Sequence, residues 1–214
     1  MLTSHLDHIT IVAPSLAEGV EYVRQTLGVT PQPGGEHPRM ATHNALLRLG
    51  DQVFLEVIAI NPDAPAPDHP RWFDLDQLNP DAAPRLATWV ARTNDIQATV
   101  AAAPVALGSI EPMSRGSLHW LITIPQDGSL PLHGIAPTLI QWHNGPHPAD
   151  KLPDQGCTLV KLEGFHPQAD QISSMLQAAG LQGGFSVYPL AAGERPYLVA
   201  HIRTPDGLRL VRAA

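Results

Sequence analysis

The 214-residue chain carries one cysteine, Cys157, so no disulfide can form within it, and no Cys cluster with zinc-finger spacing exists. A reducing, cytoplasmic setting is expected on that ground. No apolar run reaches the roughly 18 residues that a membrane span needs, and the N-terminus has no basic region followed by an apolar stretch, so neither insertion nor secretion is expected. Charge is scarce as well, at 15% of the residues, with 13 Lys and Arg against 20 Asp and Glu for a net of -7. The basic residues are scattered and never interleave with aromatics, which excludes a phosphate-backbone partner such as nucleic acid. Neither a Gly-x-Ser-x-Gly nucleophile turn nor a Gly-rich phosphate loop is present. What is plentiful is proline (22) and histidine (11), and a histidine near an apolar strand must either be hydrogen-bonded or serve as a metal ligand.

Periodicity organises the rest. Leu6 to Val12 alternates as a strand, and a helical pattern through Leu16, Val20, Val23 and Leu27 follows a Ser15/Glu18 capping box and ends at Gly28. A weak strand candidate at Thr30 to Pro33 precedes two apolar runs, Ala45 to Leu49 and Val53 to Ile60, joined by a Gly50-Asp51 hairpin signal. That order is β, α, β, β, β. It recurs twice: with strands at 86–91, 110, 118–124 and 137–143 around a helix at 95–103, and with strands from Thr158 to Leu208–Val211 around a helix carrying Ile172, Met175 and Leu176. The expected units are residues 1–60, 86–143 and 157–213, with a Pro- and Asp-rich excursion over 61–85.

The chemistry concentrates in the first unit. With Gly50-Asp51 as a two-residue turn, Ala45 faces Glu56, and His43 becomes its diagonal neighbour on the same face, roughly 7–8 Å away. In the first strand His8 lies on the face opposite Ile9 and Ile11, which the helix should cover. When the first and last strands of the unit lie side by side, His8, His43 and Glu56 converge. Two imidazoles and a carboxylate with open positions suit a divalent ion such as Fe, Mn, Ni or Zn. A plain ion pair between Glu56 and a histidine is the alternative, because a buried carboxylate needs a partner in either case.

These residues resemble the glyoxalase-like domain proteins of the vicinal oxygen chelate superfamily. The likeness rests on Leu6-Asp7-His8-Ile9-Thr10-Ile11, Gly35-Glu36-His37-Pro38, Thr42-His43-Asn44-Ala45-Leu46, Phe54-Leu55-Glu56 and Arg71-Trp72-Phe73, with weaker echoes at Ile140-Gln141-Trp142 and His147-Pro148. It implies an α+β fold of repeated βαβββ modules, with curved mixed sheets around a cavity and helices outside. It also implies that His8 and Glu56 are metal ligands, with Glu56 as ligand or exchangeable base. The second unit departs from the pattern, placing Thr88 near the His8 position and Gln141 near the Glu56 position, so His43, Gln141 or His143 would have to complete the ligand set. In the third unit Lys161 stands there, and that unit reads as structural.

The remaining histidines read as less involved: His37, His69, His133 and His147 as solvated loop residues, and His119 and His201 as strand residues. Asn44 is expected on the face opposite His43, as a local hydrogen-bonding residue. The four tryptophans read as core or cavity wall. Two functions compete. One is a metal-dependent isomerase, lyase or oxygenase acting on a small oxygenated substrate, with a homodimer permitted. The other is a metal-free protein of the same fold that sequesters a small molecule.

Overall fold

A computed structural model describes residues 1–143 and 145–212; residue 213, the end of the third expected unit, lies outside them. The first unit runs β1 (Ser4–Val12), α1 (Leu16–Leu27), β2 (Gln32–His37), β3 (Thr42–Arg48) and β4 (Phe54–Ile60). The second runs β5 (Arg85–Thr93), α2 (Ile96–Ala102), β6 (Ser109–Arg115), β7 (Leu118–Ile124) and β8 (Thr138–Trp142). The third runs β9 (Thr158–His166), α3 (Ala169–Ala178), β10 (Phe185–Pro189), β11 (Tyr197–Thr204) and β12 (Gly207–Arg212).

The first two units fuse into one eight-stranded sheet of order β2-β3-β4-β1-β5-β8-β7-β6. In each, the first strand lies parallel to the last, β1 on β4 and β5 on β8, and the two units join through an antiparallel β1–β5 seam. The sheet curls so far that its two outermost strands approach each other. Arg39, just after β2, reaches Glu111 of β6 at 2.8 Å, and Arg115 of β6 reaches Asn44 of β3 at 3.3 Å.

The third unit forms a separate four-stranded sheet of order β10-β9-β11-β12, in which β9 pairs with β10 and β11 rather than with its own last strand. It packs on the convex side of the large sheet, where Trp89 of β5 stacks on Phe185 of β10 at 4.5 Å. The helices share that side. A single core there joins Val23 and Leu27 of α1, Ile96 of α2, Ile172 and Met175 of α3, Leu55 and Val57 of β4, and Leu162 and Ala200 of the small sheet. Among the described residues no helix is long and apolar enough to cross a membrane.

The start and stop of α1 follow local chemistry. Ser15 accepts from the Glu18 backbone N–H, and Gly28 ends the helix in the left-handed conformation at φ 76°. Gly19 lets α1 settle on β4, since any side chain there would collide with Val57.

A second cluster lines the concave face: Val90 of β5, Trp120 and Ile122 of β7, Ile140 of β8, and Trp72 and Phe73 from the 61–84 excursion. That excursion folds back over the hollow. It is held by Arg71, whose guanidinium and backbone N–H both bond the Asp76 carboxylate, and Trp72 and Phe73 are buried beneath it.

Candidate functional site

The concave face of the curled sheet encloses a slim cavity, with about 40 Å³ open inside it. Its polar groups come almost wholly from the first unit and the edge that closes on it: His8, His37, Asn44, Glu56 and Arg115. Its walls are aromatic and aliphatic.

His8 is buried on β1, its ring stacked on Phe54 with centroids 4.4 Å apart. The residue before it carries the arrangement. Between Leu6 and His8 the β1–β5 register slips, so that Asp7 is an extra residue in the strand. Neighbouring strand residues ordinarily point to opposite faces, but at such a bulge the alternation breaks. Asp7 therefore reaches the His8 ring, its Oδ1 lying 2.6 Å from Nδ1. The other Asp7 oxygen accepts from Trp142 Nε1 and His147 Nε2, both at 2.9 Å.

Glu56, on the adjacent β4, turns Oε2 toward His8 Nε2 at 3.6 Å, while its Oε1 accepts a 2.5 Å bond from Asn44 Nδ2. Asn44 is itself fixed, its Oδ1 accepting from the Gly35 N–H at 2.9 Å and from Arg115 at 3.3 Å.

The electrostatics follow from this crowding. Burial alone would raise the Glu56 carboxyl, but the nearby charge of His8, with help from His37 and from the Asn44 hydrogen bond, brings it down to about 2. Burial would likewise raise Asp7, and the bonds from His147 and His8 outweigh it, holding that carboxyl well below the usual range. Burial works against protonation of His8, yet Asp7 and Glu56 together lift it to about 9. His37 goes the other way. Burial, with Arg115 nearby, depresses it to about 4, so its ring is neutral at physiological pH.

Several expectations change with the register. Leu49 pairs with Val53, N to O at 2.9 Å, so the β3–β4 loop is Gly50–Gln52, three residues rather than two. Each partner of Glu56 shifts by one. Leu46 stands opposite Glu56, Asn44 becomes the diagonal neighbour on the cavity face, and His43 turns to the other face beside Ala45 and Leu47. A one-residue slip exchanges the two faces of a strand. His43 thus does not join His8 and Glu56, and its buried Nε2 has no hydrogen-bond partner.

Gln141 is also directed away from the cavity. Its Oε1 accepts from the Ile96 N–H at the start of α2, while its neighbours Ile140 and Trp142 face the cavity. His143 lies past the end of β8, exposed. Thr88 pairs with Thr10 inside the sheet, and Val90 stands beside His8. The second unit therefore offers hydrocarbon where the first offers donors.

Three residues that the sequence reading passed over belong to the site. His37 is 5% exposed rather than solvated, packed edge-on against Trp72 at 5.1 Å. His147 is drawn in by Asp7, and Arg115 arrives from 71 residues beyond Asn44. For Asp7 a signal existed, an Asp-His pair within an apolar strand, where two consecutive polar residues cannot both be buried by ordinary alternation.

A divalent ion can be tested against these donors. Two ligands about 2.1 Å from one ion stand roughly 3.0–3.6 Å apart at angles of 90–120°. The 3.6 Å between His8 Nε2 and Glu56 Oε2 meets that spacing and is too long for a hydrogen bond. Asp7 behind His8 supplies the carboxylate that typically orients a metal-bound imidazole. No third His, Cys, Asp or Glu joins them among the described residues. The donors thus fit an ion held by two protein ligands, with the remaining positions left to water and substrate.

A family model described as "Glyoxalase-like domain" matches residues 6–180. Among curated proteins no relative matches the chain. Of the solved structures, a hypothetical protein from Staphylococcus aureus superposes with a TM-score of 0.62 at 13% identity, covering 90% of this chain and 88% of its own. Methylmalonyl-CoA epimerase from Mycobacterium tuberculosis gives 0.43 at 16% identity, over 66% of this chain and 88% of that one. A Streptomyces coelicolor methylmalonyl-CoA epimerase variant in complex with 2-nitronate-propionyl-CoA gives 0.43 at 20%, over 66% and 98%. The first of these likenesses bears on the fold alone. With the family model spanning both halves of the large sheet and reaching past α3, the chain belongs to the glyoxalase-like domain family.

Proposed function

We propose that this protein is a metal-assisted enzyme acting on a small oxygenated molecule, of isomerase, lyase or oxygenase type, with His8 and Glu56 as its two protein donors. One observation carries the reading: a buried imidazole nitrogen and a buried carboxylate oxygen face each other at 3.6 Å, too far apart to bond directly and spaced to share an ion. When bound, the ion would supply Lewis acidity toward substrate oxygens.

The chain's own residues do the rest. Asp7 accepts the hydrogen bond of the His8 Nδ1–H and so leaves Nε2 turned to the cavity. Asn44 holds Oε1 of Glu56, which leaves Oε2 to bind or to exchange a proton with the substrate. The aromatic walls narrow the cavity around this pair. A lone buried cysteine suits a cytoplasmic location.

A second reading, a metal-free binder, draws on the apolar residues of the second unit. Val90, Ile140 and Trp142 offer an ion nothing, and a protonated His8 between two carboxylates is already paired. Elemental analysis of protein purified without chelator separates the two. About one ion per chain is expected, lost in both His8→Ala and Glu56→Gln and kept in His43→Ala. A folded wild-type protein holding no ion, and taking up none on titration, would overturn the metal reading and favour the binder.

A further inference from the structure

We propose that the substrate is a small carboxylic acid and that Arg115 grips its carboxylate; the inference rests on reading this cavity as a small-molecule site and names the class of molecule it takes. Arg115 ends β6 and is half-buried at the cavity edge. Its contacts are thin for a guanidinium. Nη1 lies 3.3 Å from Asn44 Oδ1 and 3.4 Å from His37 Nε2, both neutral groups. Nε and Nη2 make no hydrogen bond among the described residues, and no carboxylate there lies within salt-bridge range. Arg24, Arg39, Arg48, Arg71 and Arg92 each find an acid; Arg85, Arg195, Arg203 and Arg209 find none within that range among the described residues, but of the arginines without an acid only Arg115 lines this cavity.

A planar fork with one edge unused, Nε and Nη2, is the geometry that receives a carboxylate through paired N–H donors. Its place relative to His8 and Glu56 is fixed by one amide. Asn44 accepts from Arg115 through Oδ1 and donates to Glu56 through Nδ2, so the guanidinium and the Glu56 carboxylate stand one side-chain amide apart. A carboxylate seated on Arg115 would bring its neighbouring carbon and oxygen atoms within reach of the His8–Glu56 pair.

Charge and size narrow the class. Arg115 is the arginine in the cavity lining, and the Glu56 carboxylate opposes a second anion beside it, so the Arg115 end is the place for a carboxylate. The cavity is narrow, and its roughly 40 Å³ of open space gives room for an acid of a few heavy atoms. Phe73, Ile122 and Ile140 offer such a molecule only hydrocarbon, and Trp72 Nε1, buried without a hydrogen-bond partner among the described residues, is a further donor in a residue of the cavity wall.

The test is a tryptophan-fluorescence titration of the full chain, at measured metal content, with glycolate, L-lactate and pyruvate and with the neutral isosteres glycolamide and L-lactamide. The acids should bind at least about tenfold tighter than the amides. Arg115→Met should abolish that preference, and Arg115→Lys should restore part of it. His8→Ala should lose the ion and keep the preference, whereas a natural chain that holds no ion yet still prefers the acids counts against the metal reading alone. Equal binding of acid and amide, an unchanged preference in folded Arg115→Met, or no acid binding at millimolar concentration overturns the proposal. Should Arg115→Met fail to fold, the acid-to-amide ratio in the natural chain and in Arg115→Lys decides. A purely mechanical latch between β6 and β3 would move acid and amide binding together.

Discussion

At the scale of single residues, the buried groups around the cavity make opposite demands on pH, and His37 isolates one of them. Its folded-state pKa lies at about 4 against 6.5 for an unperturbed imidazole, because burial and Arg115 disfavour the charged ring. Above pH 6.5 the ring is neutral folded or unfolded and contributes no slope. Between 6.5 and 4 the unfolded chain takes up a proton that the folded chain refuses, so stability falls as pH falls, by up to about 3 kcal/mol over the window. In ion-free protein, urea midpoints at pH 6.5 and 4.5 should diverge in the wild type and converge substantially in His37→Gln. Equal slopes in the two would show that the ring is not held neutral. His8 and Glu56 were legible in the sequence because a polar group amid apolar strand residues demands a partner. Asn44 and His43 exchanged roles because the β3–β4 loop holds one residue more than its Gly-Asp signal suggests. Arg115 carried no local signal, since what makes it part of the site is the curl of a sheet whose edge strands are far apart in sequence.

Among the elements, α1 shows how tightly a helix can be seated. An alanine at Gly19 would add about 1 kcal/mol of helix propensity, yet its Cβ would strike Val57 Cγ1 and lie 2.8 Å from Ala13 Cβ. Overpacking of that kind costs about 1–3 kcal/mol, so Gly19→Ala should lower stability by roughly 1 kcal/mol. Val57→Ala in the same chain should recover part of the loss, which a double-mutant cycle in urea would read. A Gly19→Ala protein as stable as the wild type would mean that α1 can shift on β4. The order of strands and helices was readable from periodicity and capping, because Ser15, Glu18 and Gly28 act locally. The pairing of the third unit was not. Its β9 lies between β10 and β11, and no pattern within Thr158–His166 distinguishes that arrangement from the one in which the first strand meets the last.

For the whole molecule, one asymmetry stands out among the joins of the large sheet. Every neighbouring strand pair from β2 to β6 is laced by backbone hydrogen bonds. Where β2 and β6 come together, the described residues show ties made through side chains, Arg39 to Glu111, to the Pro112 carbonyl and to Met113, and Arg115 to Asn44 and His37, with no backbone ladder. Amide hydrogen exchange should therefore be fastest at β2 and β6 and slowest at β1 and β5, whose ladder lies at the centre of the sheet and above the convex-side core. Uniform protection across all eight strands would contradict this. The open join has a mechanical consequence: a guest that spread the walls there would swing a few arginine side chains aside and break no rung of the ladder.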